Sequence, residues 1–121
     1  MFDPLFSLAG KRTLITGGAG SIGTLIAKSF AERGAIVTIQ DLDKTRIDDV
    51  KSSVSTNNEN VYAIAADLSS AQECKAVVDK ANQLMGGLDI VINTAGINRR
   101  KPISEVTPED FDAIVSANMK A

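Results

Sequence analysis

A glycine-rich segment, Gly17-Gly18-Ala19-Gly20-Ser21-Ile22-Gly23, lies between an apolar run, Thr13-Leu14-Ile15, and a stripe of Ile22, Leu25, Ile26 and Phe30 at helical spacing. This arrangement constrains the fold more than any other stretch. Glycine takes positive φ without a steric penalty and lets other groups approach the backbone closely. A helix that begins at such a turn offers unpaired N–H groups and the positive end of its dipole to an anion. Strand, glycine turn and helix in that order point to a dinucleotide phosphate site.

The same alternation continues along the chain. Gly34 ends the first helix. Ala35-Ile36-Val37-Thr38-Ile39 reads as a second strand ending at Gln40-Asp41, and Ile47, Val50 and Val54 mark a second helix. The polar stretch 55–60 is a loop, and Val61 to Ala65 a third strand ending at Asp67. Cys74, Val77, Val78, Ala81 and Leu84 mark a third helix closed by Gly86-Gly87, and Leu88 to Ile92 a fourth strand. Thr107 as N-cap, Pro108 at the first helical position and acids in the first turn start a last helix, continued by Phe111, Ile114 and Val115 to the chain end. Four β–α units with near-continuous apolar strands predict an α/β fold, a doubly wound parallel sheet of Rossmann type. Residues 1–121 are read as a single domain.

Composition narrows the function classes. With 44% hydrophobic and 23% charged residues the chain is of globular type, and no apolar run reaches the roughly 18 residues a membrane span needs. A net charge of −2 argues against a nucleic-acid partner. There is no histidine and only one cysteine, which argues against a metal site of the zinc type. Cys74 shares its stripe with Val77, Val78 and Ala81 and is expected to be a small core residue. The start, Met1-Phe2-Asp3-Pro4, lacks the basic and apolar regions of a signal peptide, so a cytoplasmic location is expected.

Asp41 ends the second strand, 18 residues beyond Gly23, where this fold places an acid for the adenosine ribose hydroxyls. A 2′-phosphate about 4 Å away would cost roughly 1–4 kcal/mol per unit charge. No arginine occupies positions 40 to 43, and Lys44 and Arg46 fall later, so NAD is the expected cofactor rather than NADP.

Thr16 to Gly23, Asp67-Leu68, Asn93-Thr94-Ala95-Gly96 and Asn118 follow the order and spacing of the short-chain dehydrogenase/reductase family, which the chain resembles from about Lys11 to Ala121. The Asn-Thr-Ala-Gly element discriminates best, being similar to the family's Asn-Asn-Ala-Gly signature. The resemblance implies that Gly17, Ala19, Gly20, Ser21 and Ile22 face the pyrophosphate and adjacent ribose. It places Asp41 and Leu42 at the adenosine ribose, Asp67 and Leu68 around the adenine, and Asn93, Ala95 and Gly96 on the nicotinamide side. Ser21 stands where single-domain members have their middle glycine; the turn also fits the longer, epimerase-like members. Asn93 to Gly96 and Asn118 favour the single-domain branch. A nucleotide-sugar epimerase or dehydratase, and a non-catalytic NAD-binding module, remain the alternatives.

Asn118 follows Phe111, Ile114 and Val115 at helical spacing, so it is expected on an apolar face. There an unpaired amide would cost roughly 1–3 kcal/mol. The resemblance implies that it binds a water in the proton relay to a catalytic lysine. Arg99-Arg100-Lys101 lies on the loop past the fourth strand, where cations would attract an acidic small-molecule substrate. The run Ala95 to Arg100 is also similar to sugar-acid dehydrogenases of the gluconate 5-dehydrogenase type. The family's catalytic serine and Tyr-x-x-x-Lys pair have no match here: the single tyrosine, Tyr62, sits in a strand and Ala66 stands four residues on. The chain is therefore expected to be the N-terminal part of a longer enzyme, inactive alone, and a homo-oligomer when full-length.

Overall fold

The computed structural model describes residues 4–55, 60–97 and 99–120. Positions 56–59 of the expected loop, Asn98, Ala121 and the first three residues lie outside the described residues. The elements alternate: β1 (Arg12–Thr16), α1 (Ser21–Glu32), β2 (Ile36–Asp41), α2 (Lys44–Val54), β3 (Val61–Ala65), α3 (Ala71–Met85), β4 (Ile90–Asn93) and α4 (Pro108–Val115). The strands form one sheet in the order β3-β2-β1-β4, every pair parallel. This is the doubly wound Rossmann arrangement expected.

Alternate residues of each strand serve opposite faces. Ile15, Val37 and Ile39 pack with Ala27 and Ala31 of α1 and Ile47 and Val54 of α2. Leu14 packs with Val77, Ala81 and Met85 of α3, joined by half-buried Ile36, Tyr62 and Leu88. Tyr62 is thus a packing residue. Gly34 (φ 82°) and Gly86 (φ 73°) leave their helices in the left-handed conformation that favours glycine.

Three expectations need correction. In α1 the buried face is Gly23, Ala27 and Ala31, while Ile22 and Leu25 are about two-thirds exposed, at 67% and 69%. Small residues at i, i+4 and i+8 let this helix approach the sheet, and the bulkier stripe is displaced to its flank. Cys74 is only half-buried; its Sγ–H donates to the Leu68 carbonyl at 3.4 Å, and Val78 beside it is exposed. The fourth strand begins at Ile90, and Asp89 before it is bound to Arg12 at the start of β1. Its carboxylate takes Arg12 Nε at 2.9 Å and Nη2 at 3.0 Å, and its N–H donates to the Arg12 carbonyl. This fork pins the entry of β4 to that of β1.

Candidate functional site

The register brings the chemistry-bearing residues to one crest. Thr16 stands opposite Gln40 on one side and Asn93 on the other, and Asp41 opposite Ala65. Strand order reverses between β1 and β4, and ligands of open α/β sheets bind outside the carboxyl ends at such a point.

Three of the turn's glycines are demanded by packing. Gly17 has φ 68°, and a Cβ there would stand 2.6 Å from Ala95 N. At Gly18 it would stand 2.6 Å from Ile39 Cβ. At Gly23 it would drive into the Gly17 carbonyl oxygen and stand 2.9 Å from Gly18 Cα and Thr94 Oγ1. Gly20 differs: its nearest neighbour would be the Gly17 carbonyl oxygen at 3.3 Å. Its lack of a side chain therefore leaves open space over the start of α1.

The N–H groups divide in the same way. Gly17 donates to Gln40 Oε1 (3.3 Å), Gly18 to the Gln40 carbonyl (2.8 Å), Ala19 to Asp41 Oδ2 (3.0 Å) and Gly20 to the Gly17 carbonyl (3.0 Å). Thr24 makes the first bond back into the helix, to the Gly20 carbonyl at 2.9 Å, and Gly20 provides no capping side chain. Among the described residues, the N–H groups of Ser21, Ile22 and Gly23 thus have no protein acceptor. They are the groups able to take an anion. Ala19 is buried and its carbonyl accepts from Arg46 Nη2 at 2.9 Å, so both its backbone polar atoms are occupied within the protein. Arg46 thereby returns to the turn: the first turn of α2 carries it back to the Ala19 carbonyl, which distance along the sequence does not reveal.

Asp41 is half-buried; besides Ala19 it takes the Leu42 N–H on Oδ1 at 2.7 Å, and the Leu42 side chain is exposed. Asp67 is exposed and accepts from the Ser69 N–H at 2.9 Å, shaping the turn into α3, while Leu68 is half-buried against the α3 cluster. Asn93 Oδ1 accepts from the Thr16 hydroxyl at 3.1 Å. The Thr94 hydroxyl donates to the Thr16 carbonyl at 2.6 Å. These two bonds join the tips of β1 and β4 and set Ala95 beneath Gly17. Gln40 was not anticipated as a site residue. Its signal was a polar side chain inside the run Ile36 to Ile39, immediately before the acid.

Asn118 also departs from expectation. The helix passes after Val115 into a π turn, Ser116–Lys120, which breaks the α register. Asn118 is exposed, as is Phe111. Its amide has found partners: Oδ1 accepts from the Ile97 N–H at 2.7 Å, and Nδ2 donates to the Ile97 carbonyl at 2.9 Å. It ties the segment after β4 to the π turn that follows α4.

The basic run is largely committed within the protein. Asp110, buried in the first turn of α4, accepts from Lys101 Nζ (2.7 Å), Arg99 Nη1 (3.2 Å) and the Thr107 N–H (3.0 Å). The Thr107 hydroxyl accepts from the Asp110 N–H, completing a capping box. Lys101 foremost, then the Thr107 backbone, hold the Asp110 carboxyl well below the usual carboxylate range against its burial. Arg100 is exposed and makes no such ion pair among the described residues.

A parallel crest with an anion-accepting helix start, and an acid at the tip of the second strand, define a dinucleotide-binding protein of the doubly wound class. The short chain dehydrogenase family matches residues 11–121, and the chain belongs to it. It is 34% identical over 121 residues to a 5-keto-D-gluconate 5-reductase of Escherichia coli, covering 98% of this chain and 47% of that protein. A 3-ketoacyl-(acyl-carrier-protein) reductase from Brucella melitensis, complexed with NADH, superposes with a TM-score of 0.87 at 38% identity, covering 94% of this chain and 46% of that one. A short chain dehydrogenase from Burkholderia cenocepacia in complex with NADP gives 0.88 at 36% identity, over 94% and 47%. The chain thus spans about half the length of these relatives. No helix among the described residues is long and apolar enough to cross a membrane.

Proposed function

We propose that this chain is the cofactor-binding portion of an NAD(H)-dependent oxidoreductase that interconverts an alcohol and a ketone, with a polyol or sugar acid as substrate. The observation that carries the proposal is the set of N–H groups of Ser21, Ile22 and Gly23, which have no protein acceptor among the described residues, beside an Asp41 held in place by the Ala19 N–H. The three N–H groups hold the pyrophosphate, with Gly20 giving it room. Asp41 receives the adenosine ribose hydroxyls on lone pairs that the Ala19 and Leu42 N–H groups leave free. Leu42, Asp67 and Leu68 border the adenosine half, and Asn93, Ala95 and Gly96 the nicotinamide half. Asn118, through Ile97, holds the segment along which the reacting groups meet.

When bound, the nicotinamide supplies the hydride acceptor or donor. This chain's residues bind and orient it, and it holds no match to the family's proton-transfer Tyr-x-x-x-Lys pair. Coverage of 47% of the reductase supports reading the chain as the N-terminal half of a longer enzyme. A sugar-acid substrate agrees with the name of that relative and with the exposed charge of Arg100. The family match does not favour the epimerase reading. Replacing Asp41 by Ala and titrating both cofactors tests the cofactor assignment: NAD should lose affinity relative to NADP, and an unchanged ratio would overturn it.

A further inference from the structure

We infer that Gln40 is a positioning residue that couples the phosphate-binding turn to the adenine side of the site, an inference that rests on the cofactor reading above. Gln40 is 3% exposed, at the tip of the central strand β2. Its side chain spans the strand's two neighbours. Oε1 accepts from the Gly17 N–H on the β1 side at 3.3 Å, and Nε2 donates to the Ala66 carbonyl on the β3 side at 2.7 Å. Its own carbonyl accepts from the Gly18 N–H at 2.8 Å. Ala66 immediately precedes Asp67 and Leu68 and is further held by its N–H on the Asp41 carbonyl at 3.0 Å.

One buried amide therefore fixes the spacing between the turn that takes the pyrophosphate and the strand end that borders the adenine. A dinucleotide engages both at once, so an error in that spacing weakens the dinucleotide but not a ligand that touches one side only. The site needs an acceptor and a donor on one uncharged group of this length. A methionine supplies neither. A glutamate supplies the acceptor when ionised, but the donor to Ala66 only when protonated. Burial beside a carbonyl would raise that glutamate's pKa, because both disfavour the carboxylate.

The test uses the complete protein and compares wild type, Gln40→Met and Gln40→Glu for NADH and adenosine affinity between pH 8 and about pH 5.5. NADH affinity should fall about tenfold in Gln40→Met at every pH while adenosine stays within about twofold, the loss matching two weakened hydrogen bonds. Gln40→Glu should bind NADH poorly at pH 8 and recover toward wild type as the pH falls. This recovery also serves if Gln40→Met fails to fold. A wild type that binds adenosine but not NADH would refute the cofactor reading itself. Wild-type binding with NADH affinity unchanged in both variants, or NADH and adenosine weakened equally, would overturn the role of Gln40 alone.

Discussion

Gly23 and Gly20 lie three residues apart in one motif but should respond oppositely to the same added methyl. In Gly23→Ala, the new Cβ meets the Gly17 carbonyl, Gly18 Cα and Thr94 Oγ1. Reaching ordinary contact needs a shift of about half an ångström from the last two, which start at 2.9 Å. None can yield freely: Gly18 is pinned to the Gln40 carbonyl, and Thr94 Oγ1 is bonded to the Thr16 carbonyl. Overpacking of this kind costs about 1–3 kcal/mol. Loss of the Thr94 bond adds about 1 kcal/mol, and the better helix propensity of alanine returns about 1 kcal/mol. The net destabilisation is about 1–3 kcal/mol, a fall in Tm of roughly 3–10 °C for a chain of this size. Gly20→Ala meets only one atom, at 3.3 Å and with φ −76°, so its cost should stay within about 0.5–1 kcal/mol. Its methyl instead enters the space left for the pyrophosphate, and NADH binding should suffer first. Thermal unfolding by circular dichroism, paired with NADH titration, reads both effects. A Gly23→Ala protein melting with wild type, or a Gly20→Ala protein melting as low as Gly23→Ala, would refute this assignment of the glycines.

Other consequences are open to direct measurement. The Thr38 hydroxyl is fully buried without a hydrogen-bond partner among the described residues, so the near-isosteric Thr38→Val should raise stability by about 1 kcal/mol in urea unfolding; a loss would show a partner for that hydroxyl. The folded-state pKa of Asp110 is depressed, so its contribution is fully present above about pH 4 and is lost as pH falls from there through the folded value. Asp110→Asn should flatten the acid limb of the stability profile and lower its neutral plateau, and an unchanged acid slope would count against the clamp. Arg100→Ala should raise KM for a sugar acid with little change in Tm, whereas Arg99→Ala should act mainly on Tm through Asp110. Equal KM effects from both would show that the clamp leaves Arg99 free for substrate.

The sequence by itself determined the order of strands and helices, the parallel sheet and the place of the glycine turn between β1 and α1. These follow from local rules: apolar runs too short for helices, glycine at helix ends, and the Thr107-Pro108 start of α4. The Asn93-Thr94-Ala95-Gly96 element, with the glycine turn, Asp67-Leu68 and Asn118, also led to the family. Tertiary structure alone decided which atoms of the site are free. Ala19 and Ser21 are both backbone positions of one turn, yet the Ala19 N–H is taken by an aspartate 22 residues away and the Ser21 N–H is not. Arg46 looked too far along the chain to matter and comes back to Ala19. Asn118 was expected on a buried α-helical face, and a π turn sends its amide to Ile97. Arg99 and Lys101 read as a loop charge until folding brought Asp110 beneath them. Periodicity and propensity act over a few residues, whereas the satisfaction of a buried donor or the pairing of a charge depends on groups brought together only when the sheet closes.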